Sequence, residues 1–265
     1  MEIKTYEITT EKLKKEERPL RLVMLSDLHD RLWGKGQESL LDAIDGLSGD
    51  MILCAGDMLV GHEDARMTHA IELFEGLSGR NIPVIASNGN HESRMRQQPG
   101  VYGRQYQHYT DRLRKLGVRV LENETLVTQF GSVEIWIHGY ELPLKYYRKF
   151  NMLPYDEADL QEKFGMVRDD AYHILLSHNP VYFKTYARWG ADLTLSGHLH
   201  GGIIRLPGIG GVITPQAKLF PRYDRGLFEE EGKYMVVSAG LGEHTIPIRI
   251  CNPPQLVCIV IKGIG

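Results

Sequence analysis

Cysteine is scarce: three in 265 residues, none closely paired. An odd number without framework spacing excludes a disulfide-stapled secreted fold. Cys54, Cys251 and Cys258 are expected as free thiols of a reducing compartment. Cys54, inside the apolar run MILCAGD, reads as a small core hydrophobe rather than a nucleophile. No apolar run reaches membrane-spanning length. The first residues, MEIKTYEITTEKLKKEERP, are charged where a signal peptide would be apolar. A surplus of charge is missing too: 31 Lys+Arg against 34 Asp+Glu leave a formal net charge of -3. No broad field therefore draws in nucleic acid or an anionic membrane. The expectation is a cytoplasmic chain. An upstream anchor trimmed away, or peripheral membrane contact, would leave the same residues.

What is present is ordinary globular material. Hydrophobic residues make up 42% and charged ones 25%, enough for a sizeable core. In the first half, apolar runs alternate with amphipathic segments. RLVML, DMILCAGD and IPVIASNGNHE read as buried strands. QESLLDAIDGLS, DARMTHAIELFEGLSG and RQYQHYTDRLRKLG read as helices, with Leu40, Leu41, Ile44 and Leu47, then Ala70, Ile71, Phe74 and Leu77, on their inner faces. Strand–helix repetition predicts a parallel sheet with its strand ends at one edge, where such sheets bind ligands. The second half predicts a hairpin around Gly131-Ser132, four further strands, and two short helices in YDEADLQEKFG and PVYFKTYARWG. No linker, repeat or low-complexity tract divides the chain. The reading is one mixed α/β domain over 1–265 with two sheets packed together. Residues 1–20 form an N-terminal extension strand, and 140–165 a candidate substrate-facing insertion.

The predicted strands run out into one kind of residue. SDLHD carries Asp27 and His29, AGDM carries Asp57, and NGNHE carries Asn90 and His91. LSHNP carries His178, and SGHLH carries His198 and His200. Alone, each histidine would be an ordinary core or surface residue. Together, five strand ends offer two carboxylates, one amide and five imidazoles, a donor set suited to zinc, manganese, iron or nickel. In extended backbone, Asp27-x-His29 and His198-x-His200 would each present both side chains on one face. Asp27, His29 and His200 would hold one ion, and Asn90, His178 and His198 a second. Asp57 would bridge them through its two oxygens. Two ions about 4 Å apart suit in-line displacement at phosphorus. A water between them would ionise near neutral pH and attack, and His91 would protonate the leaving oxygen.

These five blocks, in this order, resemble the calcineurin-like metallophosphoesterase family. The resemblance covers residues 27 to 200 and implies a four-layer α/β/β/α sandwich. Its dinuclear site of divalent or trivalent metals would lie at the C-terminal ends of the strands, with the ligand and His91 assignments just given. HLHGGIIRLPGIGG, LFPRYDRGLF and SAGLGEHTIPIRICNPPQLVCIVI are similar to the bacterial YkuE/YaeI-like branch. That likeness implies a phosphohydrolase acting on a small phosphoester, a nucleotide-sugar or a phospholipid-type substrate, with a phosphodiester or pyrophosphate favoured. Members of that branch are often tethered to or peripheral on membranes. A phosphomonoesterase, or a scaffold that has kept the fold without catalysis, is the alternative. The protein Ser/Thr phosphatase branch carries Asp-Arg-Gly after its Gly-Asp, where this chain has Val60 and Gly61 within GDMLVGHED. A phosphoprotein substrate is disfavoured on that ground. His91 then needs a different orienting partner, with Glu63 and Asp64 as the acidic candidates. Tyr146, Tyr147, Arg148, Lys149 and Phe150 form a basic-aromatic stretch that either faces substrate or packs beneath its own surface.

Overall fold

The computed structural model describes residues 1–148, 153–202, 204–206, 210–213, 220–243 and 249–265. In chain order the first half runs β1 (Glu2–Thr10), β2 (Leu20–Leu25), α1 (Glu38–Gly46), β3 (Met51–Ala55) and α2 (Thr68–Ser78). It continues with β4 (Val84–Ser87), α3 (Asn90–Gln97), α4 (Pro99–Tyr102), α5 (Gln105–Lys115) and β5 (Arg119–Leu121). The second half runs β6 (Glu124–Phe130), β7 (Val133–Tyr140), α6 (Ala158–Phe164), β8 (Ala171–Ser177), α7 (Phe183–Trp189) and β9 (Leu193–Ser196). It ends with β10 (Ile204–Leu206), β11 (Gly210–Ile213), β12 (Gly226–Glu230), β13 (Lys233–Val237) and β14 (Gln255–Gly263).

Two six-stranded mixed sheets result. The first has the order β1-β14-β2-β3-β4-β5, and the second β12-β13-β9-β8-β7-β6; β10 and β11 form a separate two-stranded ribbon. β2 through β5 are parallel, as the strand–helix alternation predicts. The expected hairpin is the antiparallel β6–β7 pair. Strand alternation sorts the apolar residues of the first sheet. Leu20, Leu22, Met24, Met51 and Leu53 point between the sheets, where Ile135, Ile174, Leu195 and Ile259 meet them. Val23, Leu25, Ile52 and Cys54 point outward, under Leu40, Phe74 and Leu113 of the first three long helices. Burial on both faces is why these strands read as unbroken apolar runs. Each such side chain contributes roughly 1.5–3 kcal/mol. Tyr140, Leu160, Leu175 and Tyr186 pack α6 and α7 onto the second sheet. The layers are thus helix, sheet, sheet, helix.

The three cysteines are free thiols; Cys54 and Cys258 are buried and Cys251 is exposed. Among the described residues, no helix is long and apolar enough to cross a membrane. Residues 1–20 begin with β1, which lies parallel to β14 at the edge of the first sheet.

The structure departs from the sequence reading at two places that matter for the site. The residues after β4, read as a polar turn, form α3, whose first residue is Asn90. The pairs Asp27/His29 and His198/His200 are also not extended. Their φ angles are 50°, 50°, 71° and 51°, all left-handed, as is Asp57 at 54°. The alternation of extended backbone therefore does not explain how those side chains converge.

Candidate metal centre

The parallel strands β2, β3, β8 and β9 end side by side, and the turns leaving them carry the acidic and imidazole groups. Left-handed φ is costly for a residue with a Cβ and persists only where surrounding contacts impose it. Here those contacts are visible. The Asp27 carboxylate accepts hydrogen bonds from the Ser26 hydroxyl and from the His198 backbone N–H at 3.1–3.2 Å. The Asp57 Oδ1 accepts the His91 N–H at 2.9 Å. Gly197 and Gly89 allow this crossing, because a Cβ on either would overlap the Asp27 or the Asp57 carboxylate.

Asp27 is 0% and Asp57 2% exposed. Among the described residues neither forms an ion pair with lysine or arginine; imidazoles surround both instead. Asp27 Oδ1 lies 3.2 Å from His200 Nε2, 3.6 Å from His178 Nε2 and 3.8 Å from His29 Nε2. Asp57 Oδ2 lies 2.9 Å from His178 Nε2 and 3.9 Å from His91 Nε2. Burial pushes both carboxyl groups up, but the neighbouring imidazoles outweigh it and hold both well below the usual carboxylate range. His178 shows the reverse balance. Burial disfavours its cation, yet Asp57 and Asp27 raise it to about 10. His29 is held at about 3, first by burial and then by His200. Two anions excluded from water thus draw in positive charge at one point.

The imidazole tautomers separate the histidines into two kinds. His29 Nδ1 donates to the Leu59 carbonyl at 3.2 Å, and His178 Nδ1 donates to the Ala55 carbonyl at 2.7 Å. Each bond keeps the Nδ1 proton in place, so Nε2 is the nitrogen that offers a lone pair once the ring is neutral, the state a metal ligand requires. His29 Nε2 lies 3.2 Å from His200 Nε2, close to the spacing of two ligands on one ion with bonds of about 2.0–2.1 Å. The buried Oδ1 of Asn90 has no hydrogen-bond partner, whereas His178 Nε2 lies 2.9 Å from Asp57 Oδ2. An orphaned buried acceptor like that of Asn90 fits a cation. His91 is opposite in sense: its Nδ1 accepts the Gly61 backbone N–H at 2.7 Å, so its Nε2 carries the hydrogen. Burial, first of several influences, also lowers its basicity.

Two triads have ligand atoms close enough to share an ion, Asp27/His29/His200 and Asp57/His178/His198; a third, His29/Asp57/His91, is equally compact. In that last group His91 Nδ1 accepts a backbone N–H, and in the first His200 Nδ1 lies 3.3 Å from the Arg249 guanidinium. The structure therefore brings seven of the eight singled-out residues to one place, and Asn90 directly precedes His91 at the start of α3. The partner of His91 is the Gly61 amide, not Glu63 or Asp64, whose side chains are exposed.

Sequence reasoning passed over Glu92, the last residue of GNHE. It is 1% exposed and accepts the backbone N–H groups of Asp57, Leu59 and Gly89 at 2.8–3.0 Å. Burial, then the nearby Asp57 charge, raises its carboxyl to about 7. It pins the turn after β3 to the start of α3. An acidic residue directly after a ligand pair was the available signal. Tyr147, in a 3-10 turn over Leu144–Tyr147, sets its ring 4.9 Å from that of His198 at 82°. Tyr146 instead packs among Tyr155 and Tyr182, and Arg148 is exposed. Lys149 and Phe150 lie outside the described residues.

Residues 20–202 match the family described as calcineurin-like phosphoesterase. The chain belongs to that family. An uncharacterized metallophosphoesterase of Aquifex aeolicus is 30% identical over 275 aligned positions, covering 100% of this chain and 93% of the relative. The uncharacterized metallophosphoesterase YkuE of Bacillus subtilis is 28% identical over 139 positions, 50% of this chain and 48% of YkuE. The UDP-2,3-diacylglucosamine pyrophosphatase LpxG of Chlamydia trachomatis is 38% identical over 93 positions, 33% of this chain and 28% of LpxG. The fold is similar to that of the phosphopantetheinyl hydrolase PptH from Mycobacterium tuberculosis. That match has a TM-score of 0.51 at 16% identity over 83% of this chain and 89% of that one.

Proposed function

We propose that this calcineurin-like phosphoesterase is a dinuclear metal-dependent phosphohydrolase acting on a phosphodiester or a pyrophosphate. One observation carries the reading. Two buried carboxylates stand among imidazoles, and His29 and His178 are held by backbone carbonyls in the ligand tautomer. Asp27, His29 and His200 would hold one cation, and Asn90, His178 and His198 the other, with Asp57 between. Asp57 would serve chiefly through Oδ2, since Oδ1 already accepts the His91 N–H. Bound there, manganese, iron, zinc or nickel would activate water for in-line attack and neutralise phosphoryl charge.

The chain's own part is orientation. The Nε2–H of His91 points toward the Asp57 side of the site and can donate to the leaving oxygen. The expectation of full proton transfer narrows here to hydrogen-bond donation. Gaining a second proton on Nδ1 would oppose the Gly61 N–H. The name of LpxG supports a pyrophosphate, since that relative is a pyrophosphatase of a lipid-linked sugar nucleotide. The test is metal analysis of the purified protein, followed by turnover of bis- and mono-nitrophenyl phosphate and of nucleotide-sugar and lipid pyrophosphates. Two equivalents of metal with faster diester or pyrophosphate cleavage are expected. Preference for the monoester would make it a phosphomonoesterase. Full metal content without turnover on any of them would leave a scaffold.

A further inference from the structure

Helix α3 does more than deliver Asn90 and His91. Arg94 sits three residues after His91 and four after Asn90, the spacings that stack side chains on one helical face. A long side chain on a helix lies back over the preceding turn, which here is the turn bearing those two residues. Arg94 is half-buried, and among the described residues its guanidinium has no hydrogen-bond or ion-pair partner. Its charge is one of the influences that depress His91, after burial and against Asp57. Neighbouring guanidiniums already have partners. Arg96 pairs with Glu141, and Arg31 with Glu243 at 3.0 Å. Arg249 donates to the Ala239 and Gly242 carbonyls and lies 3.3 Å from His200 Nδ1. The loop facing α3 meets His91 through the Gly61 backbone N–H.

A half-buried cation without a counter-charge loses hydration and recovers nothing from the protein. A planar guanidinium beside a proposed phosphoryl site matches the geometry of phosphate oxygens, which it can grip with two parallel hydrogen bonds. We propose that Arg94 is a substrate-binding residue that holds the non-bridging oxygens of the phosphoryl group at the mouth of the metal centre. This rests on the phosphohydrolase reading above, and the two can fail separately.

The experiment titrates inorganic phosphate into metal-loaded wild type, Arg94→Gln and Arg94→Lys by calorimetry, alongside metal content, melting temperature and steady-state kinetics. Arg94→Gln should weaken phosphate binding about 10-fold to 100-fold, in line with loss of a charge-assisted pair. Its KM should rise by a similar factor while kcat falls less, with metal content and melting temperature unchanged. Arg94→Lys, which keeps the charge but not the fork, should fall between; it also carries the test should the glutamine variant fail to fold. Phosphate bound as tightly by both variants as by wild type would overturn the proposal and leave the phosphohydrolase reading intact. Wild type that binds metal but no phosphate would overturn it as well. Failure to bind metal or to turn over any phosphoester counts against the phosphohydrolase reading, whatever Arg94 does to phosphate affinity.

Discussion

The rings of His29 and His91 meet edge to face, with centroids 5.0 Å apart, yet they are held in opposite tautomers. A backbone carbonyl takes the Nδ1–H of His29, and a backbone amide fills the Nδ1 lone pair of His91. One ring is thus prepared to accept a cation and the other to donate a hydrogen bond. This yields a prediction at the scale of a single side chain. If His91 works by donation, His91→Gln should keep much of the rate on an unactivated diester, within about tenfold of wild type. His91→Ala should lose about 10²–10³-fold, the cost of removing one transition-state donor. Nitrophenyl esters, whose leaving groups need little help, should show a smaller gap. Equal losses in both variants on the unactivated diester would restore proton transfer as the role.

At the scale of elements, the turn after β3 and the first turn of α3 act as a unit because Glu92 accepts three backbone N–H groups across them. A second element pair, β7 and β8, carries a different buried polar feature. His138 and His173 stack with an interplanar angle of 4°, joined Nε2 to Nδ1 at 3.0 Å, and Thr125 closes the other end at 2.8 Å. Trp136, Phe164 and Trp189 surround them. Burial, then the neighbouring His173, lowers His138 from 6.5 to about 3. The sign follows from proton uptake: above about pH 6.5 neither the folded nor the unfolded chain protonates this ring. Between 6.5 and about 3 the unfolded chain takes a proton that the folded one refuses, so stability falls as pH falls. The slope from this one group is at most about 1.4 kcal/mol per pH unit. His138→Gln should flatten the loss between pH 6 and pH 4, read from urea midpoints at each pH. Parallel slopes for the two proteins would place the acid sensitivity elsewhere.

Across the whole molecule, the two sheets converge so that the site joins turns from both: β2 and β3 from one, β8 and β9 from the other. Anything that binds there links the sheets. Two buried carboxylates would then share a cation that the unfolded chain cannot hold. Chelation should therefore lower the melting temperature by several degrees, with restoration on adding metal back. A site filled at about a hundred times its dissociation constant contributes about 2.7 kcal/mol. An unchanged melting temperature after verified metal removal would argue against ligands drawn from both sheets.

The order of blocks from Asp27 to His200, and the apolar runs before them, were readable in the residues alone. A strand buried on both faces must be apolar throughout, and turns that hold cations must carry oxygen and nitrogen donors. Glycines beside them were readable too, though not that Gly197 and Gly89 make room for the two carboxylates. The local chain could not reveal the left-handed turns at Asp27, His29, Asp57, His198 and His200. Their cost is offset only by contacts from residues far away in sequence. Nor could it reveal the partner of His91, because a backbone amide leaves no side-chain signature. That Arg94 has no ion-pair partner among the described residues is likewise decided by where the acidic groups fold. The sequence by itself determined the donors and their order; the tertiary structure decided tautomer and pairing, because those depend on neighbours brought together only by folding.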